Sequence, residues 1–224
     1  MARENFDEQL KRLQDQLLAM GEMVDQSIAR AVQALAQRDM PLAQEVIAAD
    51  EQINHAQRDI EEKCLVLIAT QQPLASDLRA IFSIASIAND LERMSDHSKG
   101  IARISLRMAD QPLLKPLIDT PRMAEKDRFL LREQLRAFVA RDATRAKQLA
   151  AEDSEVNRLY DQIYRELLTF MMEDPRTIGR ATYLLWIAHN LERIGDRTTN
   201  IAERTVFLLT SEVEELSADP GRNG

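Results

Sequence analysis

One cysteine, Cys64, stands among 224 residues, so no disulfide can close within the chain. Its setting, "EKCLVLIA", reads as a buried helical turn in which the thiol is a small core side chain. Glycine, proline and aromatics are also scarce, at 6 residues, 7 residues and 4%. There is no Gly-rich phosphate loop, no G-x-S-x-G and no H-E-x-x-H, so the common hydrolase and nucleotide signatures are missing and no enzyme is expected. No apolar run approaches the ~20 residues that cross a bilayer. The opening "MARENFDEQLKRLQDQ" lacks the apolar stretch of a signal peptide. A cytoplasmic protein is expected, one that reaches a membrane only through partners. Basic residues are outnumbered 29 to 37, a net charge of −8, which argues against the cationic face that nucleic-acid binding requires.

What is present is helix. The chain is 45% hydrophobic and 29% charged, and Ala, Leu, Glu, Gln and Arg dominate, the residues that favour helix. Apolar residues fall at Phe6, Leu10, Leu13, Leu17, Met20, Val24, Ile28, Ala31 and Leu35, in steps of three and four. That spacing predicts one long helix with a narrow apolar seam. "RDMP" (38–41) ends it, with Asp39 as N-cap and Pro41 in the next first turn. A second helix runs to about Thr70, and "QQPLASD" (71–77) leads into a third. "DQPLLKPLIDTP" (110–121) carries three prolines that helix cannot traverse cleanly.

The plan then repeats. "MAEKDRFLLREQLRAFVARD" (123–142) ends at "RD", as the first helix does. "AEDSEVNRLYDQIYRELLTFMM" (151–172) answers "AADEQINHAQRDIEEKCLVLIA" (48–69), its Met171–Met172 pair reading as core. "EDPRT" (173–177) opens a last helix, Asp174 capping and Pro175 leading. The fold class that follows is all-α: two tandem, pseudo-symmetric three-helix bundles of six long helices. The predicted boundaries are 1–110 for the first repeat, 111–121 for the Pro-rich connection and 122–212 for the second repeat. Residues 213–224 are expected to be a disordered tail.

The repeat also carries chemistry. "IANDLERMSDHSKGIAR" (87–103) lies over "IAHNLERIGDRTTNIAE" (187–203) with about half the positions identical. At about 100° per residue, His189, Glu192, Asp196, Asn200 and Glu203 share a stripe of roughly 80° opposite the apolar face. The stripe is therefore expected to face away from the core. As a solvated face it would more naturally alternate signs, because like charges at i,i+4 repel by about 0.2–0.5 kcal/mol. "DEQIN" (50–54) and "DSEVN" (153–157) occupy matched places on the second helix of each repeat. The candidate metal ligands are therefore Asp50, Asn54, Glu92 and Asp96 in the first repeat, and Asp153, Asn157, Glu192, Asp196, Asn200 and Glu203 in the second. Carboxylate and amide oxygens suit Mg²⁺, Mn²⁺, Ca²⁺ or iron, with Zn²⁺ a further candidate. Lys99, Gly100 and Arg103 stand where the second repeat has Thr199, Asn200 and Glu203. Those cations should neutralise the first set, so a single metal site belongs in the second repeat. No histidine stands three after a glutamate, which excludes a ferritin-like di-iron pattern, and His189 reads as solvent-facing or capping.

The layout resembles the PhoU family of phosphate-transport accessory proteins. The likeness runs from "FDEQLKRLQDQLLAMGEMV" to "NLERIGDRTTNIAE" and includes "QQPLASDLR", "MMEDPRTI" and both LERxxD segments. The resemblance implies two three-helix bundles with E/D-x-x-x-D metal motifs, here Glu92/Asp96 and Glu192/Asp196. The fuller pattern D-x-x-x-N-x-x-E is met by Asp196, Asn200 and Glu203 and fails at Gly100 and Arg103. It further implies a homodimer that links the ATPase subunit of a phosphate ABC transporter to a PhoR-type sensor histidine kinase. Such a protein is a negative regulator of the phosphate-starvation response. The alternative reading is a metal-storage bundle without a signalling role, and a metal-dependent phosphoester hydrolase is a third.

Overall fold

The computed structural model describes residues 2–216, with side chains from Glu4 onward. Seven α-helices follow in order: α1 (Ala2–Gln37), α2 (Met40–Gln71), α3 (Ala75–Arg107), α4 (Asp119–Ala140), α5 (Ala143–Glu152), α6 (Ser154–Glu173) and α7 (Ile178–Thr210). A single 3₁₀ turn, Pro175–Thr177, leads into α7. The described residues contain no strand. The predicted apolar seam of α1 is buried along its whole length, from Phe6 to Leu35.

Both "RD" pairs are two-residue joints between helices. Arg38 and Arg141 take left-handed conformations, φ 56° and 55°, which lets the following amide reach back over the last turn. Asp39 N donates to Ala34 O at 2.9 Å and Asp142 N to Ala137 O at 2.9 Å, the bond pattern of a Schellman end. Each aspartate then caps the next helix, Asp39 Oδ1 accepting from Leu42 N and Asp142 Oδ1 from Arg145 N, both at 2.9 Å. One dipeptide thus ends one helix and starts another.

The six predicted rods are present, but the fifth is in two pieces. A helix was expected to run unbroken over 151–172; instead it begins at Ala143 and breaks at Asp153. There Asp153 N bonds Ala150 O at 3.2 Å, one residue short of the α-helical spacing, so a tighter turn separates α5 from α6. The connection between repeats spans 108–118, as long as the expected 111–121 but three residues earlier, because α3 ends at Arg107 and α4 starts at Asp119. Pro121 lies in its first turn, where a missing N–H costs nothing. Two further expectations fail. Met172 is 77% exposed, and only Met171 packs on the core. Residues 212–216 run back along the second bundle, where Leu216 packs on Ala137, Ala146, Ala150 and Ala202. The remainder of the expected tail, 217–224, lies outside the described residues.

α1, α2 and α3 form one bundle; α4, α5–α6 and α7 form the other. α3 lies on α7 and α1 on α4, so the two bundles share one continuous apolar core. The α1–α4 approach is close: a Cβ on Gly21 would lie 2.2 Å from Leu135 Cδ1. Beside it the nearly buried Asp25 accepts from Arg128 Nε and Nη2 at 3.1 and 2.9 Å and from Arg132 Nη1 at 2.8 Å. Across the other seam, Asp90 of α3 accepts from Arg197 and Asn200 of α7.

Candidate metal centre in the second bundle

α7 is gripped on several sides, by α3, α4, α5 and α6. Its polar stripe therefore does not face solvent as expected. Glu192 is only 7% exposed and Asp153, at the α5–α6 break, only 4%. Asn157 stands one turn into α6 and donates to Asp153 Oδ2 at 3.3 Å. Asp196, half-buried, accepts from Arg193 Nη1 at 2.8 Å. His189 lies with Nδ1 3.4 Å from Glu192 Oε2 at the rim.

A residue that sequence reasoning did not single out completes the cluster. Asp127 of α4 is wholly buried, and neither of its carboxylate oxygens has a hydrogen-bond partner. Asp153 Oδ1 and Asn157 Oδ1 are likewise buried and unpartnered. Gly195 of α7 marks where they meet. A Cβ there would lie 2.7 Å from Asp153 Oδ1 and 3.2 Å from Asp127 Oδ1. Burial, then the charges of Asp153, Asp196 and Glu192, push the Asp127 carboxyl well above the usual range. Burial, Asp196 and Glu192 raise Asp153 to about 6, against the opposing bond from Asn157. Lys126, next to Asp127 in sequence, points outward to Glu152 and Glu155 at 2.8 and 2.9 Å.

The first bundle solves the same problem differently. Asp50, also buried, accepts from Ser95 Oγ at 2.8 Å, Lys99 Nζ at 2.5 Å and Asn54 Nδ2 at 3.2 Å. Lys99 also lies 3.6 Å from Asp96, and Glu92 lies 3.7 Å from Arg93. Burial and the Asp96 charge raise the Glu92 carboxyl. The ammonium of Lys99 is a resident cation, held above its ordinary pKa by the bond to Asp50. In the second bundle Thr199 stands at the place of Lys99 and Gly195 at that of Ser95.

Two candidate ligands lie elsewhere. Asn200 donates to Asp90 Oδ1 at 2.9 Å, across the seam to α3. Glu203 accepts from Leu216 N at 3.0 Å. Glu203 shares the angular position of Glu192 on α7, but eleven residues put it ~16 Å along the axis, beyond any shared ion. Asp127 was legible in the sequence all the same. Laying "RD" (141–142) over "RD" (38–39) sets Asp127 on Val24 and Gln134 on Ala31, two polar residues on a core seam.

The donor set is all oxygen, which suits a hard cation, and the unpartnered buried oxygens fit one. Among the described residues no three His, Cys, Asp or Glu side chains already converge as a finished cage.

Fold and site together define a duplicated helical bundle with one acid-rich cluster and one that carries its own cation. The PhoU domain model matches residues 17–105 and 120–205, one copy on each bundle. The chain is 41% identical over 206 residues to the Rhizobium meliloti "Phosphate-specific transport system accessory protein PhoU homolog", covering 92% of this chain and 87% of that one. It superposes on the crystal structure of PhoU from Pseudomonas aeruginosa with a TM-score of 0.88 at 38% identity, over 92% of this chain and 100% of the other. For the Streptococcus pneumoniae phosphate transport system regulatory protein PhoU the TM-score is 0.87 at 34% identity, over 93% and 99%. The chain belongs to the PhoU family. No helix among the described residues is long and apolar enough to cross a membrane.

Proposed function

We propose that this protein is a regulatory accessory of a phosphate transport system and represses the phosphate-starvation response when phosphate is plentiful. The observation that carries the reading is the family match over both repeats, with relatives named as phosphate-specific transport accessory proteins. In this reading the protein is cytoplasmic, dimeric and without catalytic activity of its own. It docks on the ATPase subunit of a phosphate ABC transporter and on a PhoR-type sensor histidine kinase, and relays the state of one to the other. Rigid helical faces suit such an adaptor, since shape and charge complementarity decide which partner docks.

Asp153, Asn157, Glu192 and Asp196 would hold a divalent cation in the second bundle, with Mg²⁺, Mn²⁺ or ferrous iron fitting oxygen donors better than Zn²⁺. When bound, the ion would neutralise the pocket's charge and fix α7 against α6. Lys99 does the first of these jobs in the first bundle, so one ion per chain is expected.

Deleting the gene and assaying alkaline phosphatase in phosphate-rich medium tests the reading. Constitutive expression supports repression; a silent reporter in a strain with no second copy sinks it. A metal-storage role, favoured only by the buried acids, would instead show many ions per purified chain.

A further inference from the structure

Asp127 is an expensive residue to keep. A buried carboxyl group with no partner is destabilising even when neutral, and more so when ionised. The fold does not demand it, because α1 places Val24 at the matching seam position, fully buried in an apolar core. Three differences between the repeats point the same way. Asp127 replaces Val24 and adds a carboxylate; Gly195 replaces Ser95 and removes a side chain; Thr199 replaces Lys99 and removes the resident ammonium. At Gly195 the α7 backbone comes close to both acids: an added Cβ would lie 2.7 Å from Asp153 Oδ1, 3.2 Å from Asp127 Oδ1 and 3.3 Å from Val156 Cγ1, so only glycine lets the two carboxylates meet there. Thr199 Oγ1, one turn further along α7, is also buried without a partner.

We infer that Asp127 is the innermost ligand of a single hard divalent cation, seated between α4, the α5–α6 break and α7, where Asp127 Oδ1 and Asp153 Oδ1 approach each other beside Gly195. The inference rests on the reading that the second bundle holds a cation, and adds to it a ligand from α4. Asp127 reaches the site from a helix that carries none of the E-x-x-x-D motif. An ion held there ties three helices together, whereas one held only by Asp196, Glu192 and Asn157 ties two. Side-chain rotation of Asp153 and Asp127 about χ1 and χ2 supplies the convergence that the described side chains lack.

The test uses the full chain stripped with a chelator and titrated with MnCl₂, read by calorimetric binding and by the thermal midpoint. Wild type is expected to bind one Mn²⁺ and to melt higher when loaded. Asp127→Val, which borrows the residue of the first bundle, should raise the midpoint of the stripped protein. It should also weaken Mn²⁺ binding at least tenfold and abolish most of the metal-dependent shift. Asp127→Asn, the variant to read if the valine protein does not fold, should weaken binding less but measurably. Wild-type affinity in the folded Asp127→Val protein, or in Asp127→Asn if valine fails, overturns the inference. If Glu192→Gln still abolishes binding in that case, the motif site survives and only the inner ligand is wrong. If wild type binds no Mn²⁺ at all, both readings fall.

Discussion

Lys99 Nζ lies 2.5 Å from Asp50 Oδ2 and closes the polar cluster of the first bundle without outside help. Both side chains are largely buried, at 19% and 3% exposure. Removing one partner therefore leaves the other as an uncompensated interior charge. Lys99→Met should cost about 3 kcal/mol of stability. Asp50→Asn combined with Lys99→Met should recover most of that loss. Urea unfolding of the two variants checks this, and equal midpoints for single and double variants would show that the pair is not coupled.

Asp25 is the electrostatic tie between α1 and α4, taking three bonds from two guanidinium groups. Arg128 and Arg132 can turn toward water when it is removed, so the loss is smaller than for a sealed pair. Asp25→Ala is expected to cost about 2 kcal/mol. Because the tie joins the two bundles, calorimetry should also show the single unfolding transition broaden or split. An unchanged, symmetric transition would mean that the shared apolar core alone couples the halves.

Cys64 gives a pH dependence with a definite sign. Its thiol is buried, and burial, then the Glu61 charge, raises it from 9.0 to about 12. Between those values the unfolded chain releases the proton and the folded chain keeps it. Stability from this group is therefore full below about pH 9 and is lost as pH rises toward 12. Cys64→Ala should flatten the fall in stability over that window. Native Cys64 should also react with iodoacetamide at pH 8.5 no faster than the protein opens.

Arg141 is exposed and left-handed at the end of α4. A Cβ in that conformation costs about 1 kcal/mol, which glycine avoids. Arg141→Gly should stabilise the protein by about 0.5–1 kcal/mol, less the extra freedom glycine gains in the unfolded chain. A lower thermal midpoint would show that the arginine side chain contributes more than its backbone costs.

Periodicity made the rods and their order legible: the α1 seam and the Asp39 cap stand where spacing put them. Exposure was harder to see. A stripe opposite an apolar face reads as solvated only if the helix packs on one side, and α7 packs on several, which buries Glu192. The break at Asp153 has no glycine or proline to announce it, and arises where an aspartate turns inward. Asn200 and Glu203 follow the motif's phase but not its reach, because an angular position says nothing of distance along the axis. Asp127 stands out only against the first helix of the other repeat, where Val24 holds its place, and the LERxxD segments carry no sign of it.

α7 is synthesised after the other six described helices. When residue 177 has been added, α1, α2 and α3 are all available to one another, while α4, α5 and α6 still lack the helix that each of them leans on. The second half therefore lacks one wall until the 33-residue α7 arrives. Completion of this half follows that of the first, and the carboxylates of Glu192 and Asp196 are delivered to Asp127 and Asp153 in that same step.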